Sequence, residues 1–140
     1  MARRIEQEYS AVRLTADEWL SELRPNLPSR ERDDFRPAVE RIQLRLVGRL
    51  LGLGCNVVLD WGLWAKVERD EYRMLARSLD ANVVLCLTDS PLEELGIRLA
   101  QRNASRRHDE FHISDEDLER ALSFWQSPTQ DELDLFDPMI

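Results

Sequence analysis

Two short apolar runs, CNVVLD from Cys55 to Asp60 and NVVLCLT from Asn82 to Thr88, constrain the fold more than any other feature of this chain. Their Val and Leu residues follow one another almost without polar alternation, as in parallel strands covered by helices on both faces. A third β-rich run, AVRLT, extends from Ala11 to Thr15. Helical periodicity fills the intervals, so strands and helices alternate and the class is α/β. Trp64 to Leu79 links two of the parallel strands. Its pattern turns Val67, Tyr72, Leu75 and Leu79 inward and leaves Lys66, Arg69, Asp70 and Arg77 in water.

The longest helix is predicted from about Glu31 to Leu53, because Phe35, Val39, Ile42, Leu46, Leu50 and Leu53 recur every three or four residues before Gly54 ends it. Four helix starts are marked by a hydroxyl with an acid three residues on: Thr15 with Glu18, Ser90 with Glu93, Ser114 with Asp117, and Thr129 with Glu132. Pro91 at the first helical position strengthens the second of these. The resulting helices run over about Ala16 to Leu23, Pro91 to Arg102, Asp115 to Gln126 and Gln130 to Phe136. Arg24 to Arg30 and Asn103 to His112 are polar connections, and Pro138 to Ile140 is a candidate final strand.

With 140 residues, 43% apolar and 33% charged, the chain has the material for a single domain, residues 1–140, with a real core. A net charge of -8 argues against a surface that tracks nucleic-acid phosphates, which is built from Lys and Arg. Cys55 and Cys86 each sit inside an apolar run and read as buried thiols of a reducing compartment, so the cytoplasm is the expected location. The opening MARRIEQEYS has no signal-peptide core, and no apolar run is long enough to span a bilayer, so no membrane role is expected.

Asp60 closes a strand and is followed by Trp61-Gly62, where the chain must turn at the carboxyl edge of the sheet. Ligands bind at that edge in open α/β folds. A carboxylate there either holds Mg²⁺ against nucleotide phosphates or bonds its own turn backbone, and spacing leaves both open. Asp17, in the first turn of a helix, is placed to accept a proton from a substrate hydroxyl, or simply to complement the helix dipole. Arg98, Arg102, Arg106 and Arg107 could close over transferring phosphates, although basic residues also favour helix C-termini. His108-Asp-Glu-Phe-His112 differs from a zinc helix, because Asp109 stands where the Glu after the first His belongs. The tryptophans Trp19, Trp61, Trp64 and Trp125 read as core or pocket wall.

Taken together, AVRLTADEWL, CNVVLDWGLWAKVERDEYRMLARSLDANVVLCLTDSPLEELGIRLAQRN and FHISDEDLERALSFWQSPTQDEL resemble the bacterial predicted-kinase family of AAA-type P-loop proteins, over nearly the whole chain. Its members are similar to zeta toxins and chloramphenicol phosphotransferases. The resemblance implies a P-loop kinase-like parallel sheet flanked by helices, in the strand order 2-3-1-4-5. It implies transfer of the ATP γ-phosphate, with Mg²⁺, onto a small-molecule hydroxyl. Asp17 matches the family's substrate-side acid and base, Asp60 its acid after the third strand and metal ligand, and Arg98 and Arg102 its lid arginines. Asn103 closes the lid motif, and Ser127-Pro128-Thr129 with Glu132 matches a segment near the adenine.

Family members open with an apolar strand and G-x-x-x-x-G-K-[ST], whose backbone N–H groups and Lys cradle the phosphates. That motif does not occur in this sequence. Met1 to Glu6 aligns with the tail of the helix that follows the loop, so the resemblance implies that the first strand and the loop, about 15 to 20 residues, are missing. Either Met1 is an internal methionine of a longer kinase or the chain is a remnant that binds without catalysing. The expectation is a kinase domain inactive as given, the alternative an interaction domain. The strands at 11–15, 55–60 and 82–88 should be parallel, with the last two not neighbours, because the missing strand lies between them. Their open edges favour self-association.

Overall fold

The computed structural model describes residues 1–23, 29–88, 97, 99–101, 103, 104 and 113–139. The elements are α1 (Ala2–Glu8), β1 (Val12–Leu14), α2 (Ala16–Leu23), α3 (Ser29–Gly52), β2 (Val57–Leu59), α4 (Lys66–Ser78), α5 (Asp115–Phe124) and α6 (Gln130–Leu133). Residues 97 and 99–101 are also helical, within the helix predicted from Pro91 to Arg102, whose start at Ser90 lies outside the described residues, and helix is found too at 103 and 104, where a connection was expected. No helix among the described residues is long and apolar enough to cross a membrane.

Helices α1, α3 and α4 end by one device. Ser10, Gly54 and Asp80 have positive φ (47°, 74° and 56°). The amide after each reaches back five residues, Ala11 to Glu6 O at 2.9 Å, Cys55 to Leu50 O at 3.0 Å and Ala81 to Ala76 O at 3.1 Å. This left-handed turn satisfies otherwise orphaned carbonyls and redirects the chain. Gly54 adopts it freely, whereas Ser10 and Asp80 each accept a cost of about 1 kcal/mol or more.

After two of these turns the chain enters a strand. β1 and β2 run parallel in the register Val12↔Val57, Arg13↔Val58 and Leu14↔Leu59. Val12 N–H donates to Asn56 O at 2.8 Å and Asp60 N–H to Leu14 O at 2.9 Å. In a parallel ladder this alternation points the peptide groups of Val57 and Leu59 to the other side of β2, and among the described residues no strand pairs there.

After the third turn the expected strand at 82–88 does not form. Val83 keeps its hydrogen bonds by another route: its O accepts from Asp137 N–H at 2.8 Å and its N–H donates to Asp137 Oδ2 at 2.6 Å. Alternation persists, since Ala81, Val83 and Leu85 are half-buried while Asn82, Val84 and Cys86 are exposed. A strand is defined by a partner, and here a carboxylate stands in for one. The reading of both cysteines as buried is also corrected: Cys86, in the run without a strand partner, is exposed, and Cys55 is only half-buried. Pro138 and Met139 also form no strand.

The core sits where α2 packs against α3. Ala16, Leu20 and Val39 are buried together, with Trp19 packed against them. Gln43, fully buried on α3, donates from Nε2 to Thr15 O at 3.1 Å and accepts at Oε1 from Trp61 Nε1 at 2.9 Å. One buried amide thus ties the end of β1 to the turn after β2, and burial is tolerated because both of its polar ends are satisfied.

Helix α4 reverses part of its predicted orientation. Val67 is 71% exposed and Leu75 and Leu79 face water, while Arg69 is 2% exposed. The Arg69 guanidinium donates from Nε to Glu132 Oε1 at 2.6 Å, from Nη2 to Glu132 Oε2 at 3.2 Å and to Gln126 O at 2.8 Å, and from Nη1 to the carbonyls of Leu63 and Trp64. A charge can be buried when every donor is used and its counter-ion is bidentate. Arg69 thereby fastens α6 and the turn before it onto α4.

Candidate active site

Asp60 and Asp17 stand at the carboxyl ends of β1 and β2. The bond from Asp60 N–H to Leu14 O sets Asp60 level with the last residues of β1, and Asp17 follows in the first turn of α2. Both carboxylates are open to solvent, 45% exposed for Asp60 and 53% for Asp17. Each has a cation. Asp17 Oδ1 accepts from Arg36 Nη2 at 2.5 Å, and Asp60 Oδ2 accepts from Arg13 Nη1 at 3.0 Å.

Arg13 was given no role by the sequence. Its guanidinium also donates from Nε to Glu6 Oε2 at 3.2 Å and from Nη2 to Glu18 Oε1, so it joins α1, α2 and the strand ends. Burial pulls its pKa down, but the carboxylates of Glu18, Asp60 and Glu6 outweigh that and hold it above the usual arginine value. The one available signal was a charge between Val12 and Leu14 in a short apolar strand. Glu18 was read as half of a cap with Thr15, but its carboxylate is engaged by Arg13 and Arg3. On α3, burial pushes the Glu40 carboxyl up, with Arg36 at 3.9 Å pulling the other way.

The remaining candidates are held by contacts that involve neither Asp17 nor Asp60. Asn103 donates from Nδ2 to Ile113 O at 2.8 Å and accepts at Oδ1 from Ile113 N–H at 3.2 Å, which pins the far end of the connection to α5. Ser114 and Asp117 form the predicted reciprocal cap of α5, with Asp117 N–H on Ser114 Oγ at 3.1 Å and Ser114 N–H on Asp117 Oδ2 at 3.3 Å. Thr129 Oγ1 accepts from Glu132 N–H at 3.3 Å, as its spacing predicted, and Ser127 is exposed. Glu132 is 2% exposed, with its carboxylate turned to Arg69 and away from any open surface. Arg98, Arg102, Arg106, Arg107, His108 and His112 lie outside the described residues.

Gly62 follows Asp60 by two residues, and a Cβ there would collide with the Trp64 indole nitrogen. The turn can therefore lay the indole against the backbone only with glycine at this position. Trp64 in turn meets Trp125 edge to face, with ring centroids 6.1 Å apart. Among the described residues no group of three or more His, Cys, Asp or Glu is arranged to hold a metal by itself. Asp60 offers one exposed carboxylate of hard oxygens, which suits Mg²⁺ when phosphates and water complete the shell.

No curated protein and no solved structure gives a match to this chain. A family model described as an AAA domain does match, over residues 1–128 of the 140, from α1 through the turn before α6, and the chain belongs to this AAA-type, P-loop kinase-like family.

Proposed function

We propose that this domain is the acceptor-side and lid portion of a small-molecule kinase of the zeta-toxin and chloramphenicol-phosphotransferase type, working in the cytoplasm with ATP and Mg²⁺. The observation that supports it is the placement of two solvent-open carboxylates, Asp17 and Asp60, at the carboxyl ends of two adjacent parallel strands. In open α/β sheets that edge is where ligands are bound and turned over. Asp60 holds Mg²⁺ against the phosphates, and Asp17 takes the proton of the acceptor hydroxyl after Arg36 lets it go. Arg98 and Arg102 close over the transferring group, with Asn103 fixing the lid. Ser127 and Thr129 border the adenine, and Glu132 holds that segment through Arg69. Catalysis needs a phosphate-cradling loop in addition, and these residues contain none.

The test is γ-phosphate transfer by a protein in which a strand and G-x-x-x-x-G-K-[ST] loop precede residue 1. Asp60→Asn and Asp17→Asn each lower turnover by about a hundredfold, the scale of metal and general-base roles, with unchanged melting. Full activity in Asp17→Asn would return that residue to a helix-dipole role.

A second reading, a protein-interaction domain, is favoured by the edge of β2 that no strand among the described residues pairs, and by a hollow of about 410 Å³ lined by Ile5, Val84, Leu87, Phe136 and Met139 together with Arg4, Glu8 and Asp137. Open strand edges beside apolar surface recruit further strands. A second copy of the chain is the proposed occupant. Size-exclusion chromatography with light scattering then shows concentration-dependent oligomers across the micromolar range, and a monodisperse monomer throughout that range removes this reading.

A further inference from the structure

Arg13 holds Asp60 from a fixed position. The arginine side chain is 9% exposed against 45% for the aspartate, so the cation lies under the strand ends and the carboxylate it touches faces solvent. Glu6 from α1 and Glu18 from α2 grip the same guanidinium through Nε and Nη2. Those two contacts do not involve Asp60, so a ligand that takes Asp60 away leaves the positive charge where it was. Arg13 is also set on the middle residue of β1, opposite Val58, where the ladder restrains its backbone.

We infer that Arg13 is a positioning residue for Asp60 and its internal counter-cation, orienting the carboxylate and competing with a divalent metal ion for it. This rests on the reading of Asp60 as a metal ligand. A divalent ion on Asp60 keeps Arg13 as a near neighbour, and a unit charge about 6 Å away in water-like surroundings weakens its binding by about tenfold. A metal that takes Oδ2 must also displace the Nη1 hydrogen bond, which orients that oxygen. Free metal is therefore held off Asp60 by the fold itself.

Mn²⁺ is the probe, titrated into the 140-residue chain and followed by electron paramagnetic resonance. Arg13→Gln, which keeps a donor and loses the charge, binds Mn²⁺ about tenfold more tightly than the unchanged chain, and adding Asp60→Asn abolishes the gain. If the glutamine variant does not fold, Arg13→Lys serves: its ammonium keeps the charge but cannot fork to three carboxylates, so only the hydrogen-bond competition is relieved and Mn²⁺ tightens by less than in the glutamine variant, still only with Asp60 in place. Equal affinity in a folded variant and the unchanged chain, both lost on Asp60→Asn, overturns the role of Arg13 and leaves the reading of Asp60 intact. Binding that does not depend on Asp60 in either chain overturns both.

Discussion

Titration calorimetry of the 140-residue chain with Mg-ATP gives no tight binding, and a version carrying a strand and phosphate-cradling loop ahead of residue 1 gains affinity by at least about a thousandfold. The loop supplies several backbone N–H donors and one lysine, and each charge-assisted bond contributes about 1.5 to 3 kcal/mol. Three such bonds amount to about 4.5 kcal/mol at the low end, more than three orders of magnitude. The residues left at the edge do not replace them. Asp60 and Asp17 repel a triphosphate when no metal lies between, and the nearest guanidiniums, Arg13 and Arg36, are already engaged by carboxylates. A net charge of -8 acts in the same direction at longer range. Micromolar binding by the 140-residue chain would place the phosphate site elsewhere, and the roles proposed for Asp17 and Asp60 would fall with it.

Breaking the Arg69–Glu132 pair destabilises the fold by about 3 to 5 kcal/mol, a larger effect than any other single contact here is expected to show. Both side chains are 1% exposed, and either partner left alone is a buried charge without compensation. Glu132→Gln removes the counter-ion beneath a guanidinium that still faces the carbonyls of Leu63, Trp64 and Gln126. Arg69→Met additionally releases those carbonyls and the contact of the guanidinium with the Trp125 ring at 5.7 Å. Urea unfolding followed by circular dichroism measures the loss, and melting falls by about 10 to 17 °C for a chain of this size. The double variant Arg69→Met with Glu132→Leu recovers much of it, because no charge remains to be desolvated. A loss below about 1 kcal/mol in both single variants would mean that water reaches the pair.

Short-range patterns in the sequence located much of the molecule. α2 is found at Ala16–Leu23, the range expected from the spacing of Thr15 and Glu18, and β1 and β2 lie inside two of the predicted runs. The caps at Ser114 and Thr129 form as their spacing required, and Gly54 ends α3 with a positive φ. Such features depend on residues a few positions apart, whose side chains and amides meet in any chain that becomes helical there. α3 begins at Ser29, ahead of the predicted Glu31, and continues through Pro37, because the helix is held by packing against α2 more than by propensity. The two acids at the strand ends were legible for the same local reason: Asp60 closes one β-rich run and Asp17 comes two residues after another.

Tertiary structure decided what lies far apart in the chain. Arg69 reads as a wet helix residue until Glu132 and the carbonyl of Gln126, some sixty positions away, are brought to it. Arg13 becomes the partner of Asp60 only when β1 and β2 pair in parallel. The run at 82–88 has the composition of a strand, but a strand needs a neighbour's peptide groups, and here Asp137 meets those of Val83. Composition and periodicity thus determined which segments are helical or extended, since backbone preference and local burial are properties of neighbouring residues. Which charge is buried, which carboxylate is held, and which extended segment becomes a strand were decided by tertiary contacts, because desolvation is compensated only by whatever the fold brings alongside.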